Sequence, residues 1–236
     1  MRRAYRSVFV LSAVALLPSL SSGQAAQAGD ASRAVAGGGI TVAGWTGKVD
    51  PGEAAAGATI AQAKFAREGD AFHVITGPAA SYWNPANTAT GDYTVKATFK
   101  EPAFQGLNSH AHPYGVFIGG NDMGTDQQTL LYCEAYGDGR FIVRGFGPAP
   151  FMLNGRGTAD SAVHKAAAKG EPVTQEIALS VKGGKVECAI NGKVVGSYDK
   201  AAVIGAGKIK STDGVYGIRF AHNTEGIVTG FGMTKQ

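Results

Sequence analysis

The chain has 236 residues, with 22 Lys and Arg against 18 Asp and Glu, and a formal charge of +4. Three of the basic residues, Arg2, Arg3 and Arg6, stand in the first six positions, so the remainder holds 19 basic against 18 acidic residues. A near-neutral body gives no argument for nucleic-acid or anionic-membrane partners, and the length suits one all-β domain.

The basic start is followed by an uncharged, mostly apolar run from Val8 to Leu17, by Pro18, and by small and polar residues ending in Ala26-Gln27-Ala28. This is the pattern of a cleavable signal peptide over residues 1–28. An apolar run of about ten residues is too short to cross a bilayer, which needs roughly 20. With no cysteine near the cleavage point, no lipid anchor is expected. Release after Ala28 would send the chain to the periplasm or outside the cell. Residues 29–39 are rich in Ala and Gly and read as a flexible arm, and residues 40–236 as a single domain. No later apolar run reaches the roughly 18 residues that would suggest a membrane span.

From about residue 59, alternation of period two broken by glycine turns dominates. It predicts strands over 59–65, 71–75, 92–99, 114–118, 130–136, 140–146, 174–182, 185–190, 193–198, 215–221 and 226–234. Asn191-Gly192 is the strongest of the hairpin signals. One helix is expected over 161–169, where Ser161 can cap an alanine-rich stretch that Gly170 stops. It would lie in the long connection from Gly147 to Pro172.

Cys133 shares its strand face with Leu131 and Ala135, and Cys188 shares its face with Val186 and Ile190, so both point to the core. Either they form a bridge, whose loop of about 55 residues is worth roughly 4 kcal/mol, or they are two buried thiols acting as small hydrophobes.

The run from Ile177 to Val195 has the form strand, turn, strand ending in Asn191-Gly192-Lys193. Gly214-Val215-Tyr216-Gly217-Ile218-Arg219-Phe220 and a final strand holding Phe231 follow it. Together with the hairpin Tyr136-Gly137-Asp138-Gly139-Arg140-Phe141, this resembles the concanavalin A-like lectin/glucanase jelly rolls over residues 59–236. The nearest likeness is to laminin-G-like domains and bacterial 3-keto-disaccharide hydrolase-type domains. The resemblance implies an all-β, two-sheet antiparallel jelly-roll sandwich, here with one short helix in a long loop. Such folds serve sugar binders, hydrolases and spacers alike.

The residues that could carry chemistry are few. Glycosidases need two carboxylates across the scissile bond, and the Glu-x-Asp-x-x-Glu strand pattern of the glucanase branch is absent. Glu134, opposite to Cys133 in the alternation, is the nearest substitute. His110 and His112 stand at strand spacing and could share a metal with His222 or Glu134. The oxygen-rich loop Asn121, Asp122, Gly124 and Asp126 could hold calcium or form a turn unaided; calcium is the one cofactor considered. In Tyr82-Trp83-Asn84-Pro85, Trp83 could stack on a sugar or plug the sandwich edge, with Tyr114 and the stretch from Phe146 to Phe151 on the same rim. No Gly-x-Ser-x-Gly, phosphate loop or dinucleotide fingerprint occurs. The expectation is an exported module without a recognisable catalytic centre, binding a carbohydrate or another envelope protein through Tyr82, Trp83, Asn84 and Tyr114. The alternatives are a 3-keto-glycoside hydrolase using Glu134, His110 and His112, or a structural cell-envelope domain.

Overall fold

The computed structural model describes residue 1 and residues 31–236. The expected leader and its cleavage point at Ala28 therefore lie outside the described residues, Met1 apart. In chain order the strands begin with β1 (Gly39–Ile40), β2 (Thr46–Val49), β3 (Lys64–Glu68), β4 (Ala71–Ile75), β5 (Ala80–Ala89) and β6 (Tyr93–Glu101). The middle of the chain forms β7 (Tyr114–Asn121), β8 (Thr129–Ala135), β9 (Arg140–Phe146), β10 (Pro150–Met152) and β11 (Thr158–Ala159). The last five are β12 (Val173–Lys182), β13 (Lys185–Ile190), β14 (Lys193–Asp199), β15 (Gly214–Phe220) and β16 (Glu225–Lys235). Among the described residues two short helices, α1 (Pro51–Ala55) and α2 (Lys200–Val203), and a 3₁₀ turn (Ile60–Gln62) complete the elements.

The strands form two sheets that pack as a jelly-roll sandwich. The first runs β1-β3-β4-β16-β6-β12-β13-β14, and the second runs β10-β9-β8-β7-β15-β5-β2, with β11 against β9. All pairings are antiparallel except that of β1 with β3. Alternation fixes what each face meets. Tyr82, Val116, Cys133 and Ile218 of the second sheet point inward, where they join Val95, Phe99, Leu179 and Cys188 of the first in one core. Cys133 and Cys188 form a disulfide there, Cα to Cα 5.9 Å, so the covalent link ties one sheet to the other. At the β13–β14 turn, Asn191 and Gly192 take φ of 50° and 81°, the positive pair that a two-residue hairpin turn requires.

Two expectations need correction. Residues 161–169 are not helical. Their backbone is engaged elsewhere: the Ala166 amide donates to the Gly137 carbonyl, Gln175 bonds both the amide and the carbonyl of His164, and Asn191 Nδ2 donates to the Ala162 carbonyl. Val163 is drawn into the core. These tertiary bonds outweigh alanine's helix preference.

The stretch expected over 59–65 is a 3₁₀ turn, Ile60–Gln62, closed by a Thr59–Gln62 capping box before β3 begins at Lys64. The arm expected over 29–39 is docked where it is described. The Ala31 carbonyl and the Arg33 amide bond the side chain of Asn223, and the Val35 amide donates to the Gln62 carbonyl. Among the described residues no helix is long and apolar enough to cross a membrane.

Candidate functional site

The outer face of the second sheet, turned away from the core, is also buried. Cross-strand register places Trp83, Gly217, Phe117, Tyr132 and Arg144 in one row, and Lys48, Ser81, Arg219, Gly115, Glu134 and Ile142 in the next. A Cβ at Gly217 would fall 2.5 Å from the Phe117 ring, so glycine there lets that ring lie across the sheet. Trp83, Phe117, Leu130, Tyr132, Ile142 and Phe146 form a second apolar cluster on this face.

A charged group sits in the middle of that cluster. Glu134 has no exposed side-chain surface, and its Oε1 accepts from Arg219 Nη1 at 2.7 Å. Arg219, itself buried, donates through Nη2 to Asp50 as well. Asp50 follows β2 directly and leads into α1, so the end of an edge strand brings the second carboxylate over the sheet. The Arg219 guanidinium lies 4.4 Å from the Tyr132 ring centroid and 5.5 Å from that of Phe146. Burial raises the Glu134 carboxyl to about 7 against the pull of Arg219. Glu134 Oε2, Arg219 Nε and Arg144 Nε are left without hydrogen-bond partners, so an acceptor and two donors remain on this face.

Beside the cluster lies a cleft of about 360 Å³. Its apolar surface comes from Phe146, Pro51, Pro148 and Pro150, and its polar side chains include Lys48 and Gln128. Phe146 belongs both to the cleft wall and to the surroundings of Arg219, and Pro51 is the neighbour of Asp50. Lys48 Nζ donates to the Thr125 carbonyl at 2.5 Å and to Asp126 at 3.3 Å, which joins the β2 side of the cleft to the loop facing it.

The expected site residues fall in several places. Tyr82 and Tyr114 are corrected from ligand platforms to core residues: neither is exposed, and they stack on Phe65 and Phe99 between the sheets. Trp83 is on the outer face but only 4% exposed, with Met123 packed on its cluster, and so it plugs the sandwich rather than offering a free ring. Asn84 Oδ1 accepts from the Ala86 amide within its own strand. Phe146 does line the cleft, whereas Phe151 packs on the core.

Glu134 is engaged by Arg219. His110 and His112 approach each other instead, Nε2 to Nε2 2.9 Å, and His112 stacks on His222 at 4.2 Å. Asn121 donates to the Gly119 and Asp213 carbonyls, Asp122 pairs with Lys210, and Asp126 pairs with Lys48. Among the described residues no three His, Cys, Asp or Glu side chains gather as a metal site.

Asp50, Arg219, Tyr132 and Arg144 were not singled out by the sequence. A usable signal was present for one of them: Arg219 interrupts the apolar run Tyr216-Gly217-Ile218-Arg219-Phe220 on the face opposite Ile218 and Phe220.

One solved structure shows the same architecture, and others superpose more weakly. A protein of unknown function with a galectin-like fold from Bacillus subtilis superposes with a TM-score of 0.56 at 13% identity, over 81% of this chain and 89% of that one. The carbohydrate-binding module CBM66 from Bacillus subtilis gives 0.42 at 9% identity, over 84% of this chain and 99% of that one. Sheep galectin-11 in complex with glycerol gives 0.41 at 13%, over 62% and 93%. The likeness to the first of these is one of fold, a galectin-like jelly-roll sandwich. No family model matches the chain, and no curated protein matches it in sequence.

Proposed function

We propose that this chain is a glycan-binding jelly-roll module whose ligand lies in the cleft beside the Arg219 cluster. The observation that carries the reading is the pairing of surfaces in that cleft. Pro51, Pro148 and Pro150, backed by the largely buried Phe146, offer apolar area for the C–H face of a sugar, while Lys48, Asp126 and Gln128 offer donors and acceptors for its hydroxyls. Sites of this kind join a mostly apolar lining to a few fixed polar groups. Fixation comes from beneath, where Arg219 is held by two carboxylates and an aromatic face.

Binding is favoured over hydrolysis because a glycosidase needs carboxyls that reach the substrate. Glu134, the acid expected for that role, has no exposed side-chain surface and is engaged by Arg219.

A shallow cleft gives modest affinity, since association itself costs several kcal/mol. Calorimetric titration with a panel of neutral oligosaccharides should find a Kd in roughly the micromolar to millimolar range. Phe146→Ala and Gln128→Ala should each weaken it by about tenfold or more, a loss of about 1.4 kcal/mol. Absence of binding across the panel, or affinity unmoved by both changes, rejects the proposal.

A further inference from the structure

His110 and His112 lie at one end of the sandwich, in the connection between β6 and β7, where they help to wall a small pocket. None of the described residues lining that pocket is shared with the cleft of the outer face, so this end of the molecule is independent of the glycan cleft.

The two histidines are built into the fold as a pair. Ala111 is buried in the outer-face cluster, and the side chains on either side of it meet at the surface, His110 exposed and His112 half-buried. Their Nε2 atoms are 2.9 Å apart and their ring centroids 4.3 Å apart. Neighbours hold both rings. The Ala221 amide donates to the Pro113 carbonyl at 2.9 Å, which extends the pairing of β7 with β15 and brings His222 beside His112. The His222 ring then stacks on His112 at 4.2 Å, with its own Nδ1 3.4 Å from Ser32 Oγ and 3.8 Å from Glu53. On the other side, Ser109 Oγ is 3.3 Å from His110 Nδ1.

The spacing of the two nitrogens has a chemical meaning. Two imidazole nitrogens that each bind one metal ion at about 2.0–2.1 Å lie about 2.8–3.0 Å apart when they meet at a right angle, and about 3.3–3.4 Å apart at the tetrahedral angle. The 2.9 Å between these Nε2 atoms is the right-angle value. Right-angled nitrogen donors suit the tetragonal geometry of copper(II) and nickel(II), and copper(II) binds such donors more tightly than nickel(II) or zinc(II).

We propose that His110 and His112 form a two-nitrogen site for copper(II), each binding through Nε2, with water or a small oxygen ligand in the remaining positions. Ser109 Oγ accepts from His110 Nδ1–H, which fixes the tautomer that leaves Nε2 as the donor to the ion. The ion displaces the proton shared between the two Nε2 atoms, and that proton passes to His112 Nδ1. Neither residue expected as a third ligand supplies one. Glu134 is held by Arg219, and the stacked His222 ring directs its nitrogens past the meeting point of the pair. An open site is the result, in keeping with the lack, among the described residues, of three gathered His, Cys, Asp or Glu side chains. The pocket wall carries Glu225, and no lysine or arginine occurs among the described residues that line it, so the local field favours a cation.

The test is titration of the chain with copper(II) in a non-coordinating buffer, followed by calorimetry and by electron paramagnetic resonance. One equivalent should bind with a Kd in roughly the micromolar range, and its spectrum should show coupling to two imidazole nitrogens. His110→Asn and His112→Asn should each weaken that equivalent by at least about tenfold, because the second imidazole of a chelate acts at high effective concentration. His164→Asn, in the segment between β11 and β12, should leave it unchanged, and zinc(II) should bind at least about tenfold more weakly than copper(II). The proposal is overturned by absence of copper binding, by zinc bound as tightly as copper, or by an affinity that either variant of the pair leaves intact or that His164→Asn reduces. Should the variants of the pair fail to fold, the spectrum of the unmutated chain decides, and coupling to fewer than two imidazole nitrogens overturns the proposal.

Discussion

On the inner face of the second sheet, Tyr82, Val116, Cys133 and Ile218 are covered by the first sheet. On its outer face, Trp83, Phe117, Tyr132 and Glu134 are covered to almost the same degree without a third sheet to cover them. The first kind of burial holds apolar side chains at these positions, with the Glu101 carboxyl at the end of β6 against Tyr114. The second has admitted three ionisable side chains, and it satisfies them by sharing one guanidinium between two carboxylates. Low exposure by itself therefore does not separate core from site in this molecule. What separates them is whether the buried groups need partners of opposite charge.

The sharpest way to break the comparison is to remove the shared cation. Arg219→Met leaves Glu134 buried beside Asp50 with only the more distant Arg144 to balance it, and should cost about 3–5 kcal/mol in chemical denaturation. Adding Glu134→Gln to that change should recover part of the loss, because glutamine needs no counter-charge. A cost below about 1 kcal/mol for Arg219→Met would show that the outer cluster is solvated like a surface.

A smaller effect follows from the acids. Glu134 and Glu101 both hold their protons more tightly folded than unfolded, with carboxyls raised from 4.5 to about 7. Their contribution is most favourable below about pH 4.5 and is lost as pH rises through about 7. For Glu101 alone the fall is about 3 kcal/mol. Denaturation midpoints measured from pH 4.5 to 8 should decline by more in the unmutated chain than in Glu101→Gln, and matching slopes would exclude a buried carboxyl at that position.

The smallest expected effect sharpens the comparison. Ile142→Val on the outer face and Ile218→Val on the inner face should each cost about 0.5–1.5 kcal/mol. A clearly lower cost at Ile142 would mean that the loops cover the outer cluster loosely.

Alternation made most of the sandwich readable in the sequence. It placed β12, β13 and β14 with the Asn191-Gly192 turn between the last two, and it turned Cys133 and Cys188 toward one core. The same rule put Glu134 on the opposite face from Cys133. Alternation can only say which residues share a face, however, and not whether that face is covered. Trp83 was left open between a platform and a plug for this reason, and Tyr82 and Tyr114 were read as rim residues when their strands bury both faces. Asp50 and Arg219 meet across 169 positions, with nothing local to announce the contact. The helix expected over 161–169 failed for a related reason, since its competitors were the side chains of Gln175 and Asn191, which lie outside the segment.

The cystine between the two sheets also bears on how the molecule would respond to being pulled from its ends. Tension applied at the two termini passes through the sulfur bridge, so the 55-residue span from Cys133 to Cys188 would carry no load. Roughly 190 Å of chain, at about 3.5 Å per residue, stays hidden from a single-molecule stretching trace until the bridge is reduced. That span contains β9, β10, β11 and β12 whole, most of β13 and the end of β8, so Phe146 and the Gly147, Pro148 and Pro150 part of the cleft wall would be shielded from force even as the strands outside the span peel away.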